Sequence, residues 1–178
     1  MTATAVNEAD SARRRARIRL VITAAAVAAV DLATKVWASA TLAGNPVDLP
    51  GPLDLRLGHN PGVAFGLGNR APTWLVLVIT GAIAAGIAVS AWRHAFPSTV
   101  AAGMIIGGAA ANVIDRMEAG TVVDMLYLDF WPTFNGADIG ITAGGALLVL
   151  AMWRASSEDT EADTDLVDGE HDRSGARP

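Results

Sequence analysis

Three features of this sequence predict an all-α membrane protein, with four transmembrane helices, a small extracytoplasmic β-like element and an outer-face loop. Apolar residues make up 52% of the chain and charged residues only 17%, against roughly 25% charged in soluble domains. The charges gather at the ends and in loops, leaving apolar runs at about 18–42, 72–92, 98–117 and 138–153. All but the last, shorter run reach the ~17–25 residues a helix needs to cross a bilayer. Between runs one and two, and again between three and four, the sequence turns polar. At 178 residues there is room for one domain.

Residues 1–17 form a basic N-terminus that ends in Arg13-Arg14-Arg15-Ala16-Arg17. Such a segment before an apolar run suits either a signal peptide or a first transmembrane helix. Ala38-Ser39-Ala40 resembles a cleavage site, but the run at 18–42 is long for a signal-peptide core and contains Asp31 and Lys35. A retained helix is therefore expected. Residues 43–71 bring Pro46, Pro50, Gly51 and Pro52, then the alternation Leu53-Asp54-Leu55-Arg56-Leu57, then Gly58-His59-Asn60-Pro61-Gly62. Period-two alternation between turn residues is the signature of a strand. The span at 72–92 follows, then a tight basic connection over 93–97, then the span at 98–117. The fourth span opens at Asp138 and ends at Arg154. Eight acids against Arg173 and Arg177 lie in 156–178, so the remaining 155 residues carry a net charge of +1. A disordered acidic tail over 155–178 is expected from that composition.

Four spans put both termini on one side. Arg13, Arg14, Arg15, Arg17, Arg19, Arg93 and Arg154 fall there, whereas the other side has Arg56 and Arg70, with Arg116 at its boundary. The positive-inside rule makes the arginine-rich side cytoplasmic. The polar residues inside the spans then converge on the outer face. Asp31 lies 13 residues past Ile18, roughly 20 Å along a helix and so in the outer half of the bilayer. Lys35 is one turn further out on the same face, in the favourable acid-then-base order. Asn112, Asp115 and Arg116 share one face near the outer end of span three, and Asn60, Asp124, Asn135 and Asp138 lie on the same side.

Each of these has a plain structural reading. Asp31 with Lys35 makes a neutral ion pair, Asp115 with Arg116 marks a helix end, and Asp138 suits an N-cap. Asp129 reads as solvated loop, and Trp74, Tyr127, Phe130 and Trp131 as an interfacial aromatic belt. Gly107 and Gly108 read as sites of close helix packing. Ionisable groups gathered on one membrane face nevertheless favour a functional site. With no cysteine, disulfides, thiolate metal sites and a Cys nucleophile are excluded. His59, His94 and His171 are not at ligand spacing, so no metal or cofactor is expected.

Five segments, in order, carry a family resemblance: Asp31-Leu32-Ala33-Thr34-Lys35, His59-Asn60-Pro61-Gly62-Val63-Ala64-Phe65, Asn112-Val113-Ile114-Asp115-Arg116, Val122-Val123-Asp124 and Phe130-Trp131-Pro132-Thr133-Phe134-Asn135-Gly136-Ala137-Asp138. Together they resemble lipoprotein signal peptidase, the type II signal peptidase of bacteria, over about residues 18–154. The departures are Ala111, where the family usually has Gly, and Ile139, where a small Ser is common. The resemblance implies an aspartic endopeptidase that cleaves prolipoproteins before a diacylglyceryl-modified Cys. It carries the catalytic pair to Asp124 and Asp138, and supporting or substrate-contacting roles to Asp31, Lys35, Asn60, Asn112, Asp115, Arg116 and Asn135. It further implies lipidated prolipoprotein substrates, membrane lipid as surroundings, no nucleic acid, a monomer, and an active site on the outer face of the bacterial cytoplasmic membrane.

The chemistry is consistent with that implication. Without a metal, a Cys or an evident Ser–His pair, paired carboxylates are the best means of hydrolysing a peptide bond. Two adjacent carboxyl groups cannot both ionise easily, so one retains its proton and the two act as acid and base on a water between them. If residues 122–130 are extended, Asp124 shares a face with Val122, Leu126, Leu128 and Phe130, an apolar flank suited to the protonated member. The alternative is a small ion- or proton-coupled transport protein using Asp31, Asp115 and Arg116 as a relay. Such a path needs polar groups at successive depths, and beyond Arg19 at the very start of the first span the cytoplasmic halves of the spans carry no charge to supply them.

Overall fold

The computed structural model describes residues 3–61, 72–93 and 97–174, in which four long helices alternate with the strands of one sheet. Helix α1 covers Ala3–Thr41, α2 Thr73–Arg93, α3 Thr99–Ala119 and α4 Gly136–Ser174, and each contains a segment long and apolar enough to cross a membrane. Two helices outrun the expected spans. α1 takes in the basic N-terminal segment, so its arginines continue the helix that enters the membrane. α4 runs beyond Arg154 to Ser174, where acidic composition had led to an expectation of disorder. No proline interrupts that stretch, and its Glu and Ala residues are good helix formers. Residues 62–65 of the motif beginning at His59, together with Arg70 and residues 94–96, lie outside the described residues.

Helix α3 is the centre of the bundle and packs against each of the other three. The adjacent glycines at 107 and 108 make two of these approaches possible. A Cβ on Gly107 would overlap the backbone of Ala24 in α1, and one on Gly108 would lie 2.5 Å from the carbonyl oxygen of Ala137 in α4. Small residues at crossing points are what bring membrane helices to backbone contact. The expected packing role of both glycines therefore holds, each facing a different helix. A Ser98 N-cap starts α3, its side chain accepting from the Ala101 amide at 3.2 Å. Gly120 ends it in the left-handed region at φ 75°, its N–H bonded to the Arg116 carbonyl at 3.0 Å.

Strands β1 (Val47–Asp48), β2 (Leu53–Asn60), β3 (Val122–Leu128) and β4 (Trp131–Phe134) form one antiparallel sheet in sequence order. The strand expected at 53–57 is present and extends to Asn60. β2 belongs to the α1–α2 connection and β3 to the α3–α4 connection. Their pairing, from Leu53↔Leu128 to Asn60↔Val122, gathers both loops at one end of the bundle, away from the α2–α3 connection. A register irregularity between Leu55 and Gly58 sets Gly58 opposite Asp124. Beneath the sheet, Met125 of β3 is buried with Ala38 and Leu42 at the end of α1, and Leu55, Leu57 and Leu126 pack around them. This cluster seats the sheet on the bundle.

Candidate active site

The site is built around the first turn of α4. Asn135, immediately before the helix, accepts from the Asp138 backbone N–H at 3.0 Å, while Asp138 Oδ2 accepts from the Asn135 N–H at 3.2 Å. This reciprocal pair is a capping box, with Asn135 as cap and Asp138 three residues on. The N-cap reading of Asp138 is corrected accordingly: the helix starts earlier, and Asp138 is the carboxylate that closes the box. The Asn135 amide also reaches the other aspartate. Its Nδ2 lies 2.7 Å from Asp124 Oδ1, with Val123 O and Asn112 Oδ1 both at 3.3 Å. One fully buried asparagine thus touches both carboxylates.

Lys35 is the second organising residue. Its ammonium lies 2.6 Å from Asp31 Oδ2, 2.8 Å from Asn112 Oδ1 and 2.9 Å from Asp115 Oδ2, which occupies all three donors of a lysine. Each partner passes the constraint on. Asp31 Oδ1 accepts from the backbone N–H of Ala137 at 2.6 Å, the residue before Asp138. Asp115 Oδ2 accepts from the N–H of Val123 at 3.1 Å, the residue before Asp124. Asn112 Nδ2 donates to Asp138 Oδ1 at 3.0 Å. One buried ammonium is therefore connected to both aspartates by separate routes. The i,i+4 ion pair read in the sequence is present, and it is part of a larger assembly.

The remaining residues complete the surroundings. Asn60, at the end of β2, hydrogen-bonds Asp124 through its side chain. Arg116 Nη1 donates to the Asn112 carbonyl at 3.2 Å, and the residue is 7% exposed. Asp129 is an exposed turn residue, as expected. All nine residues singled out from the sequence are thus tied into one cluster at the sheet end. Among the described residues, no three His, Cys, Asp or Glu side chains converge as a metal site requires.

Asp124 is 2% exposed, and its carboxyl is pushed up from 3.8 to about 6. Burial is the main cause and the neighbouring charge of Asp138 the second, with bonds from Asn135 and Asn60 opposing both. The extended β3 that produces this burial also buries Val122 on the same side of the strand. Asp138 sits at the open end of the pair, half-buried at the N-terminus of α4. A recess of about 260 Å³ opens onto both, lined also by Asn60, Asn112 and Arg116. Trp131 and Phe134 of β4, with Thr80 and Thr142, line it as well. Trp131, expected in the interfacial belt, also lines this recess because β4 folds back along β3. Thr80 and Thr142 were missed. Their only sequence signal is a hydroxyl in an otherwise apolar helix, which more often bonds its own helix, as Thr80 does to Val76 O at 2.7 Å.

Known proteins bear on this geometry. The model of the family described as signal peptidase (SPase) II matches residues 23–154. A lipoprotein signal peptidase of Rhodococcus jostii is 36% identical over 142 residues, 75% of this chain and 72% of the relative. One of Oleidesulfovibrio alaskensis is 39% identical over 74% of this chain and 92% of the relative. A solved bacterial membrane enzyme, determined by the in meso method at 2.3 Å resolution, superposes with a TM-score of 0.70 at 27% identity. That likeness covers 78% of this chain and 90% of the enzyme.

Proposed function

We propose that this chain, which belongs to the signal peptidase II family and removes the signal peptides of prolipoproteins in a bacterial membrane, works as an aspartic endopeptidase with Asp124 and Asp138 as its catalytic pair. The observation that carries the reading is the double contact of Asn135 with both carboxylates at the mouth of one recess.

Burial beside another carboxylate raises Asp124, which suits it to carry the proton in the form of the pair that holds one. Asp138, held by the Asn112 amide and the Asn135 N–H, is placed to act as the base. Asp138 takes a proton from a water as that water attacks the scissile carbonyl carbon. Asp124 donates its proton to the carbonyl oxygen, and a proton then passes to the leaving amine as the C–N bond breaks. Asn60 and Arg116, which line the recess, are suited to hold the substrate backbone by hydrogen bonds. Trp131, Phe134 and Ile141 offer an apolar wall to its lipid-facing part.

The arginine distribution supports cytoplasmic termini and a catalytic pair on the outer face. There a lipidated Cys holds its peptide bond at headgroup level. The transport alternative finds no comparable support. The test is cleavage of a diacylglyceryl-modified precursor by purified protein in detergent. Asp124→Asn and Asp138→Asn are each expected to lower kcat by at least ~10³-fold, within the range of lost acid–base catalysis, while keeping the wild-type circular dichroism spectrum. Turnover near wild type in either variant overturns the pair. A precursor with an unmodified Cys separates lipid recognition from general proteolysis.

A further inference from the structure

At the end of the bundle away from the sheet, α1 and α2 both pack on α3 and scarcely touch each other. The gap is an almost wholly apolar slot of about 580 Å³, lined on α1 by Leu20, Val21, Ala24, Ala25 and Ala28. Val21 and Trp92 are shared with a second recess, of about 620 Å³, whose wall includes Asp10, Arg13, Arg14 and Arg17. The two recesses form one path because α1 is a single unbroken helix. Residues 13, 14, 17, 21, 24, 25 and 28 recur at helical spacing and make one stripe, basic at its start and apolar below. Arg17 fixes the junction. Its Nε and Nη2 lie 3.4 and 3.2 Å from the Trp92 carbonyl oxygen, and its guanidinium lies 4.7 Å from the centre of the Trp92 ring.

We propose that this path binds one anionic phospholipid, with an acyl chain in the slot and its phosphate on Arg13, Arg14 and Arg17. The slot favours hydrocarbon, while three guanidiniums against the single carboxylate of Asp10 complement an anion. The indole of Trp92 stands between them, at the depth where such rings mark the boundary between headgroups and chains. A zwitterionic lipid fits the slot equally well but leaves the arginines without a net countercharge. The arginines lie at the opposite end of the bundle from Asp124 and Asp138, and no residue that lines the slot also lines the recess beside that pair, so the path is separate from the binding of a lipidated substrate there.

Native mass spectrometry of the full chain tests this, using micelles that contain equal amounts of phosphatidylglycerol and phosphatidylcholine. The expected spectrum shows a one-to-one adduct with phosphatidylglycerol. Arg13→Gln with Arg14→Gln should weaken that adduct by roughly 25-fold, about fivefold for each arginine near a membrane surface. Ala25→Phe, an exposed position that fills the slot, should remove it, whereas Ala26→Phe, equally exposed but off the slot, should not. Retained precursor cleavage in all three variants shows that they fold. Equal retention of the two lipids, an adduct unchanged in the arginine variant, or equal effects of the two Phe substitutions overturns the proposal.

Discussion

The two ends of this bundle are held by different forces. At the sheet end, Asp31, Lys35, Asn112, Arg116, Asp124 and Asn135 are all buried, and their cohesion comes from short directional bonds. At the other end, Leu20, Ala91 and Ala102 form the core, and Gly103 brings α3 against α1. Small-residue packing fixes how close two helices come but leaves rotation about the contact cheap. A hydrogen-bonded network also fixes orientation, because each bond has an angle. The end that must orient two carboxylates is the end built from bonds. It is also the more vulnerable end, since a buried charge that loses its partner is far costlier than a lost methyl contact.

Removing the hub should break this contrast most severely. Lys35→Met leaves Asp31 and Asp115 without their shared cation, and an expected loss of about 3–5 kcal/mol follows from uncompensated buried charge. Thermal unfolding in detergent measures it. A midpoint within a degree of wild type would mean that the network is ornamental.

The two adjacent glycines sharpen the comparison, since they put a similar insult at one depth on two different helix contacts, only one of which reaches the bonded site. Gly107→Ala collides with Ala24 in α1, and Gly108→Ala with Ala137 beside Asp138. Each should cost about 1–3 kcal/mol of stability, as overpacking does. Only Gly108→Ala is expected to lower kcat strongly, because it pushes the first turn of α4 away from Asn112. Similar kcat values for the two variants would show that the α1–α3 and α3–α4 contacts are mechanically equivalent for the site.

The smallest effect concerns pH. The Asp124 carboxyl is raised from 3.8 to about 6 on folding. Its contribution is therefore fully favourable below the unfolded value and is lost as pH rises through about 6. Wild-type protein should melt a few degrees lower at about pH 8 than at about pH 5, and Asp124→Asn should reduce that difference. The inactive variant would then be the more stable protein on the alkaline side. An identical pH dependence in both would place the titrating group elsewhere.

Much of this arrangement was legible in the sequence because it rests on short-range patterns. Hydropathy marked the four spans, and the alternation at Leu53 to Leu57 marked β2. Family motifs named every residue of the cluster. What escaped depended on contacts between distant segments. Nothing local says that β2 and β3 pair, and that pairing sets Asn60 beside Asp124. Trp131 read as a membrane-belt aromatic because its place over the recess depends on β4 folding back along β3. The sequence Asn135-Gly136-Ala137-Asp138 does contain a capping-box spacing, but the helix was expected to open two residues later. The roles of cap and box partner were consequently misassigned.

The one-turn spacing of Asp31 and Lys35 also has a consequence for biosynthesis. Synthesis runs from the N-terminus, so α1 reaches the bilayer before Asp115, Asn112 or Ala137 exists. A lone charge at that depth is expensive. Because the lysine and the aspartate lie 2.6 Å apart on one helix, each is the other's counter-ion during insertion. When α3 and α4 arrive, the same ammonium takes up Asp115 and Asn112, and the free oxygen of Asp31 takes up α4. The pair that lets the first helix enter the membrane becomes the template on which the later ones dock.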